Sequence, residues 1–244
     1  MWGVIKTIYG EIFYKPLLNG LLFLTSVLPF HDLGLAVILL TLAVKLILFP
    51  FTHKSLKTQA VMKKIEPEIK KIQHVHKDDR QEQAKKLMEL YREHGVNPFS
   101  GFFMIFLQLP ILISLYHIFW RGLGVLPENV NTVFLGLIPL TEASVGMAVL
   151  AAISQFWQAK LAIPPKTSNT GGQLDMAQMM QKQMVFVFPF MIFIIAYKLP
   201  AAVALYWTFM NIFAILHEAY VRKISVKKTE TSKFSAVFQN GEQK

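Results

Sequence analysis

LGLAVILLTLAVKLILFPF, residues 33–51, decides how this chain is read. At about 1.5 Å per residue the run comes close to crossing a hydrocarbon layer of about 30 Å as a helix, and Lys45 is its single charge. Four further runs of the same kind follow, at 99–120, 143–163, 184–197 and 199–217. The second holds Ser100, Gln108, Ser114 and His117 as its interior polar groups. The last two meet at the Lys198-Leu199-Pro200 corner, which leaves room only for a hairpin. Residues 184–197 span only about 21 Å, so that helix draws in polar residues such as Gln181 and Gln183, or the bilayer thins beside it.

Composition agrees with this reading. Hydrophobic residues make up 53% of the 244 and charged ones 16%, and the apolar residues are bunched into long runs instead of being spread at amphipathic spacing. An earlier apolar stretch, 16–30, is broken by Pro16, Asn19, Gly20 and Pro29 and is too short to cross. It reads as an interfacial amphipathic helix within an outer-face N-terminus at 1–32. A signal peptide's small-residue cleavage site is missing from it, and an uncleaved start signal is the alternative.

The net charge of +10 sets orientation. Eleven Lys and Arg lie in 52–98, three (Lys160, Lys166, Lys182) in the loop around 164–183 and six after Tyr220, against Lys6, Lys15, Arg121 and Lys198 on the opposite side. By the positive-inside rule the N-terminus is outside and the C-terminus cytoplasmic, which requires an odd number of crossings. The fold class expected is therefore an all-α integral membrane protein with five transmembrane helices. An outer loop occupies 121–142. The basic tail, 218–244, loses hydrophobic periodicity and is expected to be disordered, anchoring the last helix or touching anionic lipid or ribosomal RNA.

Residues 52–98 form the one sizeable polar insertion. Val61, Ile65, Ile69 and Ile72 recur at helical spacing on its first arm, and Ala84, Leu87, Met88 and Tyr91 on its second, so a cytoplasmic helical hairpin turning at Lys77-Asp78-Asp79 is expected. Both stripes are thin. Such a hairpin should be mobile, with less hydrogen-exchange protection than the transmembrane helices.

Five polar residues within the apolar runs are the candidate site. Lys45 would cost roughly 2.5–3.5 kcal/mol or more as a free ammonium within the bilayer, and it either snorkels to the inner interface or faces a hydrated cavity. Gln108 carries donors and an acceptor that lipid cannot satisfy, so it glues helices or lines the same cavity. Thr41, one turn before Lys45, extends a polar stripe or bonds back to its own helix. Trp207 and Asn211 are one turn apart in the last run; the first could be an interfacial anchor or a packing residue, while the second lies deep enough to want a polar partner. A shared wet pocket would satisfy all five. Catalysis has little support: HExxH, phosphate-cradling loops, GxSxG and paired intramembrane carboxylates are lacking, the seven histidines are scattered, and the lack of cysteine excludes disulfides and thiolate metal sites. No metal, cofactor or specific nucleic-acid motif is expected. Gly171-Gly172 reads as a flexible link.

Several linked motifs resemble those of the YidC-type membrane protein insertases. They are TLAVKLILFP at 41–50, GVNP at 95–98 leading to Gln108-Leu109-Pro110, MQKQM at 180–184 and LPAAVALYWTFMNIF at 199–213. The resemblance covers the chain from about Tyr14 to Arg222. It implies a non-catalytic insertase and chaperone of the bacterial inner membrane, in which a hydrophilic groove opens to the cytoplasm and to lipid. Lys45 stands where the family usually has arginine, keeping the cation but losing the planar fork; Thr41, Gln108 and Trp207 match groove-lining positions. The large outer domain of some members and the lipoprotein cysteine of others are both missing. Partners implied are nascent membrane proteins with short translocated tails and the lipid bilayer, together with the ribosome and the main secretion channel. A small ion or solute transporter with Lys45 as its binding charge is the alternative, although no internal repeat supports it.

Overall fold

The computed structural model describes residues 7–97, 100–121, 126–162 and 176–241. Pro98 of the GVNP motif and the loop carrying Lys166, Gly171 and Gly172 lie outside them. A π-helical segment, Gly10–Tyr14, runs without a break into α1, Lys15–Val27, whose second residue is Pro16. Leu28 is extended ahead of Pro29, as a residue before proline prefers, and a 3₁₀ turn, Pro29–His31, leads to α2, Leu33–Ile47. Asp32 caps α2 by accepting from the Leu35 N–H at 2.8 Å. Then follow α3 (Phe49–Val75), α4 (Arg80–Glu93), α5 (Ser100–Arg121), the strands β1 (Val133–Phe134) and β2 (Ile138–Pro139), α6 (Val145–Ala162), α7 (Met176–Tyr197) and α8 (Ala201–Gly241).

The chain divides into two compact units, Met1–Leu48 with Phe106–Ile215, and Phe49–Ile105 with Leu216–Lys244. In the first, several helices meet through small buried residues while many large apolar side chains face outward. Ala148, Ala151, Ala196, Ala201, Ala202 and Ala204 are fully buried, while Phe106, Ile153, Trp157, Phe186, Phe190 and Ile194 are exposed. Water would penalise that arrangement; lipid, as apolar as the side chains facing it, favours close packing of small residues between helices. By length and apolarity, Ala201–Val221 qualifies alone as a membrane span among the described residues. Leu33–Ile47 and Phe49–Val75 qualify as a broken pair, and Gln108–Trp120 and Val185–Tyr197 are shorter apolar helices.

Four features depart from the sequence reading. The first apolar run does not continue as one helix to Phe51: α2 ends at Ile47 because Pro50 supplies no N–H to the Leu46 carbonyl and its ring would clash there. A two-stranded antiparallel hairpin pairs Val133 with Pro139 and Phe134 with Ile138, against the all-α expectation. Residues beyond 218 are helical through Gly241 rather than disordered, since no glycine or proline interrupts the run after Ala201 until Gly241. The polar second unit contains α3 and α4 joined by a turn at His76–Asp79, but the buried apolar residues of these two helices are Ile65 and Leu90. Ala84 and Met88, assigned to the inner stripe, are exposed, so α4 is rotated from the face its spacing suggested.

Asp79 starts α4 by accepting from the N–H groups of Gln81 and Glu82, each at 3.0 Å. Asp79→Ala leaves both donors without that acceptor and is expected to cost about 1 kcal/mol. Faster amide exchange at Gln81 and Glu82 than in the parent is the measurable outcome.

Candidate functional site

Lys45 lies in the last turn of α2, where a cation complements the helix dipole, and it is only 9% exposed. Its Nζ donates to Gln108 Oε1 on α5 at 3.4 Å. Gln108 in turn donates through Nε2 to the Tyr206 hydroxyl on α8. Tyr206 is 2% exposed, so the far end of this chain of bonds is held in a packed core. The amide orientation follows from the donors: with its NH₂ on the tyrosine oxygen, Gln108 presents its carbonyl to the ammonium. Among the described residues no carboxylate pairs with Lys45, and an ammonium carries three donors. The site is thus a buried cation with capacity for a further acceptor.

A second polar cluster lies on the other side of α8. Gln155 Oε1, on α6, accepts from Trp207 Nε1 at 3.2 Å and from Asn211 Nδ2 at 3.2 Å. Asn211 also donates to Ser154 Oγ at 3.0 Å, and Gln155 donates to Gln158 Oε1 at 3.2 Å. Adjacent residues of α8 therefore serve different clusters, since a helix turns about 100° per residue: Tyr206 faces Gln108 and Trp207 faces Gln155. Thr41 joins neither; its hydroxyl donates to the Val37 carbonyl of its own helix at 2.6 Å. Ser114 Oγ is buried without a partner among the described residues.

Of the five residues singled out from sequence, the structure joins Lys45 to Gln108 and brings Trp207 and Asn211 onto one acceptor. Tyr206 and Gln155 were missed. Gln155 was open to the argument made for Gln108, an amide within an apolar run. Nothing in the sequence distinguished Tyr206 from a packing aromatic. Among the described residues no three His, Cys, Asp or Glu side chains gather as a metal site.

Residues 23–229 match the family model described as the 60Kd inner membrane protein. The chain belongs to this family, that of the YidC-type insertases. It is 35% identical over 192 residues to the membrane protein insertase YidC of Fusobacterium nucleatum, covering 79% of this chain and 87% of that protein. The Clostridium tetani protein of the same name is 33% identical over 207 residues, with 84% and 89% covered. A Magnetococcus marinus namesake is 31% identical, and there the chain spans only 35% of the longer protein. A crystal structure described as an active YidC insertase with its first transmembrane domain resolved superposes with a TM-score of 0.58 at 26% identity, over 85% of this chain and 45% of that one. Lys45, Gln108, Trp207 and Asn211 all fall inside the region matched to the YidC-type family.

Tyr206→Phe removes the acceptor that orients Gln108 and is expected to cost about 1 kcal/mol of stability. In a Gln108→Ala background the same change should cost almost nothing further. A double-mutant cycle on unfolding in detergent measures this coupling, and additive losses would contradict it.

Proposed function

We propose that this chain is a membrane protein insertase that integrates small membrane proteins into the bilayer through a cytoplasm-open hydrophilic groove. In this reading it crosses the bacterial inner membrane five times, with the N-terminus outside and the C-terminus cytoplasmic. Residues 16–30 lie in the outer interface and the hairpin within 52–98 projects into the cytoplasm. Lys45, Thr41, Gln108, Trp207 and Asn211 line the groove, with Tyr206 and Gln155 holding their orientation. The observation that carries the proposal is the buried Lys45, bonded to Gln108 with no counter-ion among the described residues. A fully dry, unpaired ammonium would be costly, whereas one that meets water and passing carboxylates is both tolerated and useful.

The mechanism is one of solvation. A client's translocated tail is hydrophilic and often acidic, and carrying it unaccompanied through a low-dielectric layer is prohibitive. Water, amides and a cation that reach part-way across shorten the dry distance. Lys45 attracts the acidic tail while the exposed apolar faces of the helices let the client's own helix slide into lipid. Burying that helix supplies about 25 cal/mol per Å² of apolar surface, and the membrane potential assists the acidic residues. The cycle has no bond-making step and uses no cofactor. Its partners are nascent membrane proteins with short tails and the surrounding lipid, with the ribosome and the secretion channel as delivery and hand-over points.

Reconstitution of the purified chain into liposomes tests this. Unaided insertion of a one- or two-span protein is the expected result. Flux of ions or solutes without insertion would instead establish a transporter.

A further inference from the structure

In the second unit, α3 and the part of α8 that begins at Leu216 meet through side chains, and two histidines face each other there. His53 Nδ1 and His217 Nε2 are 3.2 Å apart with the ring planes within 4° of each other, so one ring donates its N–H and the other accepts on a bare nitrogen. The Phe49 ring covers both. It stacks on His217 at 4.5 Å and on His53 at 5.4 Å, and His217 is buried. Further along α3, Lys63 Nζ meets Glu218 Oε1 at 3.7 Å, beside a small crevice lined by Leu56, Gln59, Ala60 and Val221. Phe49, His53, Leu56, Ala60 and Lys63 recur at alternating steps of four and three, which puts them on one face of α3. This face is the root of the hairpin that α3 makes with α4.

A joint made only for adhesion needs no titrating group, since two leucines would hold it by packing. The imidazoles add a bond whose existence depends on protons. With both rings neutral, or with one proton added, one of the two facing nitrogens stays bare and the bond forms. With both rings protonated, two N–H groups and two positive charges oppose each other across the same gap, and the bond gives way to repulsion. The charged residues nearest the pair along the two helices are Lys54 and Lys57 on α3 and Glu218 and Arg222 on α8. All but Glu218 are basic, and Glu218 is bridged to Lys63. The direction of the pH effect follows from counting protons. The closed pair holds at most one added proton and the separated pair holds two, so opening takes up a proton and falling pH favours it.

We propose that His53, His217 and Phe49 form a proton-operated latch, closed at neutral pH, that holds the root of the polar hairpin to α8 and releases it in acid. Protonation of neighbouring histidines acts by biasing an element with two arrangements. Here that element is α3, which begins at Phe49, so parting the rings frees the helix from α8 at its first turns. The inference rests on the second unit alone and does not depend on the groove or on Lys45.

The chain has no cysteine, so nitroxide labels can be placed without background at Lys71→Cys on α3 and Tyr220→Cys on α8, both exposed positions. The doubly labelled chain is reconstituted into phosphatidylcholine vesicles. Pulsed electron spin resonance then gives the distance distribution between the labels at about pH 8 and about pH 5, on either side of histidine's ordinary value of about 6.5. One population is expected at the higher pH and a second, longer one at the lower, their ratio changing by up to about tenfold per pH unit while the second proton binds. His53→Phe and His217→Phe each keep a flat ring beside Phe49 but remove the titrating pair, so their distributions should be the same at both pH values. Glu218→Gln should respond as the parent does. A parent distribution that stays constant between the two pH values would overturn the proposal, as would a response that survives in either phenylalanine variant. A response lost in Glu218→Gln would do so too, because it would assign the proton to the carboxylate.

Discussion

Lys45→Gln is expected to slow insertion of clients with acidic translocated tails by roughly tenfold or more while leaving clients with neutral tails near the parent rate. Two unit charges about 4 Å apart attract by about 4 kcal/mol at an effective dielectric of 20, and retaining a third of that is worth about a factor of ten in rate. Glutamine keeps most of the side chain's length and can still meet the Gln108 carbonyl, so a loss limited to acidic tails isolates the charge from the packing. Lys45→Arg should retain function, because its guanidinium holds a carboxylate in two parallel bonds where the ammonium makes one point contact. The measurement is protease protection of tails differing only in Asp or Asn content, inserted into liposomes containing each variant. Equal slowing of acidic and neutral tails would show that Lys45 supports the structure and does not attract the client.

Gly34→Ala should destabilise the first unit by about 1–3 kcal/mol, the usual cost of forcing an extra methyl group into a filled site. A Cβ added to Gly34 would lie 2.1 Å from Phe134 Cδ2, 2.6 Å from its Cγ and 2.9 Å from its Cβ. Gly34 is in the first turn of α2 and Phe134 is on β1, so the missing side chain lets the hairpin ring lie directly against the helix. The clash involves the ring's inner carbons as well as its edge, and rotating the phenyl group cannot relieve it entirely. Phe134→Ala in the same chain should restore part of the loss, since only the contact at 2.9 Å then remains. Thermal unfolding in detergent of the parent, both single variants and the double variant decides it. A Gly34→Ala protein as stable as the parent would mean that the ring does not occupy this position.

What the sequence determined by itself are properties that each residue carries along the chain. Long uncharged runs, polar interruptions at Lys45 and Gln108, and an excess of Lys and Arg in 52–98 need no partner to be recognised, because hydration cost and charge belong to the segment. The linked motifs carried the family in the same way. The tertiary structure alone decided which of these groups meet. Whether Gln108 turns to Lys45, or Trp207 to Gln155, depends on the rotation of each helix about its axis, and one residue's difference moves a side chain by about 100°. Thr41 shows the consequence: a single turn from Lys45, it is bonded to its own helix. Tyr206 reads in the sequence as one more aromatic among many, and its role exists only because α5 brings an amide to its hydroxyl. Packing, which sets helix rotation and depth, is a property of pairs of segments, and a single chain of letters does not state it.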